Sequence, residues 1–166
     1  MYRAMNPPAI PVLTPHHFSI SVPDIEVAIA WYGEILGFHV QSRFEITAIA
    51  AQGAFLRREE LWIELWQIGT GASVPDCRKN PDSDLKAGGT KHIAFSVPNL
   101  QNQLVELVRR EVDIAAVQRH PKEPMQPESN PGDPRAPPAF AAFIRDPAGT
   151  LIELLDHAAL AAMNLV

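Results

Sequence analysis

Hydrophobic and polar residues alternate over residues 16–22, and this stretch runs directly into a helical pattern. The alternation has the period of two that is typical of a strand. From Asp24 to Gly37 the apolar side chains recur at helical spacing, with Asp24 suited to cap the helix and Gly37 suited to end it. Three further strands are predicted near residues 38–48, 50–57 and 61–67.

The second half of the chain repeats this order of elements. A strand is predicted over residues 91–97, a helix from Asn99 to about Arg110, and strands near 114–119, 139–145 and 150–156. The letters HFSISVPDI from His17 onward match HIAFSVPNL from His92 onward, and the IEL of LWIELW recurs in TLIELL. Two copies of one βαβββ module explain both matches.

The modules define the expected domain organisation. Residues 1–14 are predicted to form an extended arm, 15–68 the first module, 69–89 a linker, 90–157 the second module and 158–166 a C-terminal tail. The second module contains a proline-rich insertion, residues 120–138. This insertion is either a plain surface loop or a lid over a cleft, and its length favours a lid.

Composition limits the classes of partner. The chain has 166 residues, a formal net charge of −5, and 46% hydrophobic residues. The negative charge argues against nucleic acid or an anionic membrane as a partner, and no apolar run approaches the roughly 20 residues that span a bilayer. The single cysteine, Cys77, cannot form an internal disulfide. We therefore expect a cytoplasmic protein with a small-molecule substrate.

Both histidines that begin the repeated strands lead a face of small residues. His17 shares its face with Ser19 and Ser21, whereas Phe18, Ile20 and Val22 take the helix side. In the second copy, His92 shares its face with Ala94 and Ser96. Small residues leave a hollow, so Ser19 and Ser96 are predicted to line a substrate pocket. His16 is predicted to point to the opposite face and to be structural.

The last strand of each module places a carboxylate among apolar side chains. Glu64 lies between Trp62 and Trp66, and Glu153 lies between two leucines. Such carboxylates need a counter-charge. A metal ion bound by two imidazoles and two carboxylates would satisfy His17, His92, Glu64 and Glu153 together. The two tryptophans are predicted to form walls of the cleft.

Three segments carry a family resemblance: HHFSISVPDIEVAIAWYGEILGF, TKHIAFSVPNL and FIRDPAGTLIELLDH. They resemble the vicinal oxygen chelate superfamily, which includes glyoxalase I, methylmalonyl-CoA epimerase, extradiol dioxygenases, and fosfomycin- and bleomycin-resistance proteins. The resemblance spans about residues 15–157. It implies an α+β fold in which two βαβββ modules form a curled mixed sheet around a metal cleft.

The resemblance also assigns the ligands. His17 and His92 match the ligands on the first strands, and Glu64 and Glu153 match those on the fourth strands. This set looks most like glyoxalase I. The epimerases usually place Gln where Glu64 stands, and the ring-cleaving dioxygenases use two His and one Glu.

The ligand count suggests the chemistry. Four protein ligands around an octahedral ion leave two adjacent positions, which two neighbouring substrate oxygens can fill. The expected function is a glyoxalase-like lyase or isomerase that forms an enediolate held at the metal, with Glu64 or Glu153 as the base. Zn, Ni, Co, Mn and Fe(II) all suit these ligands. The alternatives are an Fe(II) extradiol-type dioxygenase and a metal-free binding or drug-resistance protein. The long insertion puts the use of glutathione in question.

A homodimer is expected, because an exposed sheet edge is costly and a twofold dimer can cover it. The N-terminal arm would then pack against the partner or against the module junction. The linker is long enough to allow a metal site either within one chain or shared between two.

Overall fold

The computed structural model describes residues 13–166, so most of the predicted N-terminal arm lies outside the described residues. The first module contains β1 (His17–Ser21), α1 (Ile25–Leu36), β2 (His39–Ile46), β3 (Ala51–Arg58) and β4 (Leu61–Ile68). The linker contains α2 (Pro81–Asp84), and the second module contains β5 (Ile93–Val97), α3 (Leu100–Arg109), β6 (Ile114–Gln118), β7 (Ala141–Arg145) and β8 (Leu151–Asp156). The chain continues into α4 (His157–Ala162), a helix that begins at the last residue of the predicted second module and extends into the predicted C-terminal tail.

The two modules have the same sheet topology. The strand orders are β1-β4-β3-β2 and β5-β8-β7-β6. In each sheet the first strand pairs in parallel with the fourth, and the other pairs are antiparallel. Each module also has a register shift in the same strand, at Val40/Ser42 and at Ile114/Ala116. The predicted α+β fold of two βαβββ modules is confirmed.

Local sequence signals fix the ends of α1. The Asp24 side chain accepts hydrogen bonds from the backbone N–H groups of Glu26 and Val27. Gly37 ends the helix with φ 70°, a left-handed conformation that glycine adopts without a steric penalty. Both predicted caps are confirmed.

A single core connects the two modules, and Tyr32 lies at this junction. The Tyr32 side chain is fully buried, and its hydroxyl donates a hydrogen bond of 3.1 Å to Oδ2 of Asp146. Oδ1 of Asp146 accepts the backbone N–H groups of Ala148 and Thr150, so this carboxylate joins α1 to the turn between β7 and β8. Burial raises the pKa of Asp146, and burial beside this carboxylate raises the pKa of Tyr32 well above its usual value.

The proline-rich insertion, residues 120–138, is anchored to the second module. Gln126 exchanges two backbone hydrogen bonds with Val117, of 2.8 and 2.9 Å, and so covers the free edge of β6. Further along, the Gln101 side chain on α3 donates to the carbonyl oxygens of Pro131 and Asp133. The insertion therefore wraps the sheet edge and continues onto the helix face.

Side chains of the second module also hold the linker. Arg145 donates to the carbonyl oxygen of Lys79, to the Asn80 side chain and to the Asp113 carboxylate. The Arg145 side chain is only 18% exposed, so it is largely enclosed by these partners.

Within residues 13–166, none of the helices has the length and apolar character that crossing a membrane requires.

Replacing Tyr32 with Phe tests the junction between the modules. The variant removes the donor to Oδ2 of Asp146 and leaves a buried carboxylate oxygen without that partner. We expect the free energy of unfolding in urea to fall by about 1–3 kcal/mol. Ser42→Ala, which removes an exposed hydroxyl on β2, serves as the control and should change it by less than about 0.5 kcal/mol. Equal stability of Tyr32→Phe and the wild type would contradict a stabilising role for this contact.

Candidate metal centre

The parallel pairing of β1 with β4 brings His17 and Glu64 together. The register places Ser19 opposite Glu64, so the side chains on this face follow one another across the two strands. Nε2 of His17 lies 3.3 Å from Oε2 of Glu64, and the Ser19 hydroxyl donates to the same oxygen at 2.9 Å. The Glu64 side chain is 14% exposed and the His17 side chain is 32% exposed.

The surroundings of Glu64 favour its ionised form. Burial alone would raise its pKa, but hydrogen bonds from Trp66, Ser19 and His17, with the charge of His17, hold the pKa below its usual value. An ionised carboxylate is the form that binds a metal ion.

The second module builds the same pair. His92 directly precedes β5, and the register of β5 with β8 places Ala94 opposite Glu153. Nε2 of His92 lies 3.1 Å from Oε2 of Glu153, and the side chains are 26% and 18% exposed. In both modules, therefore, the histidine and the glutamate lie on the same face of the sheet.

The spacing within each pair suits coordination of one ion. Two ligands that are each about 2.1 Å from a metal and at right angles to each other lie about 3.0 Å apart. The two N···O distances of 3.3 and 3.1 Å match this spacing. Imidazole nitrogen with carboxylate oxygen is also a donor combination that Zn, Ni, Co, Mn and Fe(II) accept.

Each histidine rests against a phenylalanine that the sequence interpretation did not include. The Phe55 ring packs edge-on to His17 at 5.5 Å between centroids, and the Phe143 ring packs edge-on to His92 at 4.9 Å. Phe55 lies opposite Glu64 in the register of β3 and β4, and Phe143 lies opposite Glu153 in the register of β7 and β8. Both phenylalanines could have been found from the sequence by pairing the two strands of each predicted hairpin and asking which residue lies opposite the glutamate.

The predicted orientation of His16 is wrong, whereas its predicted structural role stays a prediction. Its ring does not turn to the opposite face: Nδ1 of His16 lies 2.7 Å from Nδ1 of His17, and the ring stacks on Trp62 at 6.0 Å. The alternation does not extend to His16 because β1 begins only at His17. Since Nε2 of His17 faces Glu64, the contact at Nδ1 allows His16 to orient the imidazole ring.

An aromatic surface surrounds Glu64. Trp62 and Trp66 are partly exposed and flank Glu64 on β4, and the Phe44 ring packs against Trp66 at 4.8 Å. The Phe44 ring lies over Gly53, where a side-chain Cβ would come within 2.1 Å of it. The tryptophans thus lie where walls of a cleft are predicted, and their contact with a substrate stays a prediction.

Ser96 lies apart from the His92–Glu153 pair. Its hydroxyl is 3.0 Å from Nδ1 of His157, and it lines a groove of about 290 Å³ between β5 and the turn of the β3–β4 hairpin. His17, Ser19 and His92 instead line a cleft of about 420 Å³ between β1 and the second module.

The four candidate ligands form two separate pairs. In the part of the chain that the structure describes, no three His, Cys, Asp or Glu side chains converge on one position where a metal ion could bind. The structure thus joins His17 to Glu64 and His92 to Glu153, but it does not join these pairs within one chain.

Comparison with known proteins identifies the family. The sequence-family model that describes the glyoxalase, bleomycin resistance protein and dioxygenase superfamily matches residues 16–127 of this chain. The chain belongs to this superfamily.

Individual members show how far the similarity extends. Human mitochondrial methylmalonyl-CoA epimerase is 28% identical over 99 residues, which are 58% of this chain; the chain spans about half, 53%, of that protein's length. The trypanothione-dependent glyoxalase I of Leishmania major is 24% identical, with a TM-score of 0.61 over 89% of both chains. The fosfomycin resistance protein FosX of Listeria monocytogenes, solved with Mn(II), is 15% identical, with a TM-score of 0.55 over 87% of this chain and 93% of the other.

The two structures have the same fold as this chain, and the superfamily contains enzymes. The superfamily resemblance and the fold class predicted from the sequence are therefore confirmed. The ligand roles of the two His–Glu pairs stay predictions.

Proposed function

We propose that the two His–Glu pairs together bind one divalent metal ion and that the protein is a glyoxalase-like lyase or isomerase. Its substrate would be a small molecule with two neighbouring oxygens. The observation that carries the proposal is the repeated pair, with N···O distances of 3.3 and 3.1 Å at equivalent strand positions of the two modules.

The ligands would be His17, Glu64, His92 and Glu153. The ion, when bound, would supply Lewis acidity to the two substrate oxygens and so favour loss of a proton from the adjacent carbon. The sheet faces around the pairs are partly shielded by Phe55 and Phe143, which strengthens the electrostatic interaction of charged groups at the site.

Glu153 is the better candidate for the base that moves this proton. Glu64 is held by the Ser19 hydroxyl and has a lowered pKa, so it is suited to remain a ligand. For Glu153 the described residues provide His92 as the only close polar partner, so this carboxylate is freer to swing toward a substrate. A general base must reach within hydrogen-bond distance of the carbon-bound proton.

The similarity to an epimerase favours proton transfer without oxidation. Methylmalonyl-CoA epimerase, by its name, inverts a centre in its substrate, which requires removal and return of a proton and no external oxidant. The carboxylate at Glu64 also gives this chain one acidic ligand more than a two-His, one-Glu dioxygenase needs. Both points favour a lyase or isomerase over an extradiol-type dioxygenase.

The complete site would be shared between two chains. Because the two pairs do not converge within residues 13–166, each pair needs another pair brought to it. A twofold dimer would place the His17–Glu64 pair of one protomer against the His92–Glu153 pair of its partner, and would do so twice. A homodimer would also cover the partly exposed aromatic surface around Trp62 and Trp66.

The first prediction concerns metal stoichiometry. We expect one divalent ion per chain in protein purified without chelator, measured by elemental analysis. Single changes to Ala at His17, Glu64, His92 or Glu153 should each weaken metal binding more than about a hundredfold. His16→Ala should weaken it about tenfold, because partners that orient a ligand typically contribute 10- to 100-fold.

His39→Ala is the matched control, because His39 is exposed at the start of β2. Its metal affinity should equal that of the wild type. Full metal occupancy in the His17→Ala/His92→Ala double variant would contradict the proposed ligand set.

The second prediction tests whether the site is shared. His17→Ala and His92→Ala proteins, mixed in equal amounts and allowed to exchange subunits, should regain about a quarter of the wild-type tight metal sites, since half of the twofold dimers are mixed and each has one intact site. Equilibrium dialysis measures the tight sites. No recovery after complete subunit exchange would place the site within one chain, and a monomer in light scattering would remove the shared site altogether.

The third prediction separates the candidate reactions. Metal-loaded protein in D₂O should catalyse deuterium exchange into a carbon acid, tested with hemithioacetals of 2-oxoaldehydes and with methylmalonyl-CoA and followed by NMR. The exchange should be equal with and without oxygen and should be lost in Glu153→Gln. Oxygen uptake with a catechol, measured with an electrode, would instead support the dioxygenase, and absence of any bound metal would support the binding protein.

A further inference from the structure

A small apolar pocket adjoins the His92–Glu153 pair. It has a volume of about 240 Å³, and both members of the pair line it. The remaining lining residues are Pro81, Asp82, Leu85, Met125 and Phe143. Any molecule whose oxygens are held near His92 and Glu153 therefore has this pocket next to it.

The proline-rich insertion contributes Met125. The next residue, Gln126, is bonded to β6 through both of its backbone groups, which fixes the position of Met125 relative to the sheet. Arg119 secures the insertion further, because its Nε donates to Glu128 at 2.8 Å and it also contacts the Gln101 side chain. Met125 is therefore part of a preformed wall, and an unbranched thioether side chain adapts to varied apolar groups.

The linker contributes the opposite wall. Pro81 and Leu85 lie at the two ends of α2, where the buried Asp84 carboxylate accepts a 2.8 Å hydrogen bond from Arg78. Leu85 is 66% exposed although it borders the pocket. An apolar side chain held in this position leaves surface that an apolar ligand group can cover.

The charge around the pocket is of one sign. Asp82 and Glu153 are its acidic residues, and no lysine or arginine is among its lining residues in the described part of the chain. In the proposed function Glu153 binds the metal ion, whereas Asp82 has no lysine or arginine beside it among the described lining residues, so a carboxylate or phosphate that reached Asp82 would meet like charge. The pocket therefore favours an uncharged apolar group and disfavours an anionic one.

We infer that the substrate carries an uncharged apolar substituent next to its metal-directed oxygens, and that Met125 and Leu85 determine this specificity. This inference rests on the proposed function. A substrate whose carboxylate group would have to enter this pocket is therefore excluded. The lining of the pocket matches that of typical small-molecule sites, which are mostly apolar with a few polar groups that set the orientation of the ligand.

Hydroxamates test the inference because each binds a metal ion through two neighbouring oxygens and carries a variable tail. Three probes suffice: acetohydroxamate, hexanohydroxamate, and adipic acid monohydroxamate, which has the longer chain with a terminal carboxylate. Their dissociation constants are measured on the full-length Co(II)-loaded protein from the change in visible absorption.

Hexanohydroxamate should bind at least about tenfold more tightly than acetohydroxamate, because each fully buried methylene strengthens binding about fourfold. The affinity for adipic acid monohydroxamate should be less than about twofold higher than the affinity for acetohydroxamate, since its carboxylate would face Asp82. Met125→Ser and Leu85→Ser should each reduce the ratio between the first two probes by about fivefold or more. Met125→Lys should make adipic acid monohydroxamate the tighter of the two six-carbon probes.

Met163→Ser is the matched control, because Met163 is 46% exposed beyond α4 and does not line the pocket. It should preserve the wild-type ratios. If the protein takes up no Co(II), or takes it up and binds no hydroxamate, the proposed function fails. If acetohydroxamate binds and the longer apolar tail brings no gain, the inference fails alone; that result is also expected if a second copy of the chain fills the pocket.

Discussion

The structure depends on two carboxylates that lie between apolar neighbours on their own strands and therefore need positively charged or hydrogen-bonding partners. Glu64 lies between two tryptophans and Glu153 between two leucines, and both are less than one-fifth exposed. In each module the parallel pairing of the first and fourth strands places a histidine about 3 Å from the glutamate carboxylate. One imidazole N–H supplies a carboxylate with a single hydrogen bond, whereas a divalent ion would provide positive charge to both pairs at once.

The repeated module explains why the chain has two such pairs. One βαβββ unit supplies one histidine, one glutamate and one supporting phenylalanine, so it provides two of the ligands that an octahedral or tetrahedral site needs. The Tyr32–Asp146 contact and the common core fix the modules to each other without joining their pairs. Completion of the site then becomes a matter of assembly, which connects metal binding to dimerisation in the proposed function.

The sequence predicted the elements and faces whose signals are local. Alternation with period two assigned His17, Ser19 and Glu64 to one face, and the caps Asp24 and Gly37 fixed the ends of α1. It failed for the orientation of His16, because β1 begins one residue after it, at His17. It also did not reveal that Met125 lines the same pocket as Glu153 or that Arg145 holds the linker, because those arrangements depend on residues distant in sequence.

X-ray absorption spectroscopy of the Co(II)-loaded protein tests most directly whether the two kinds of His–Glu pair bind one common metal ion. The proposed ligands predict two imidazole nitrogens and two carboxylate oxygens around each ion, and His17→Ala should remove one imidazole from every site. A single imidazole per ion in the wild type, with two ions per chain, would show that each His–Glu pair binds its own metal and would contradict the proposed four-ligand centre.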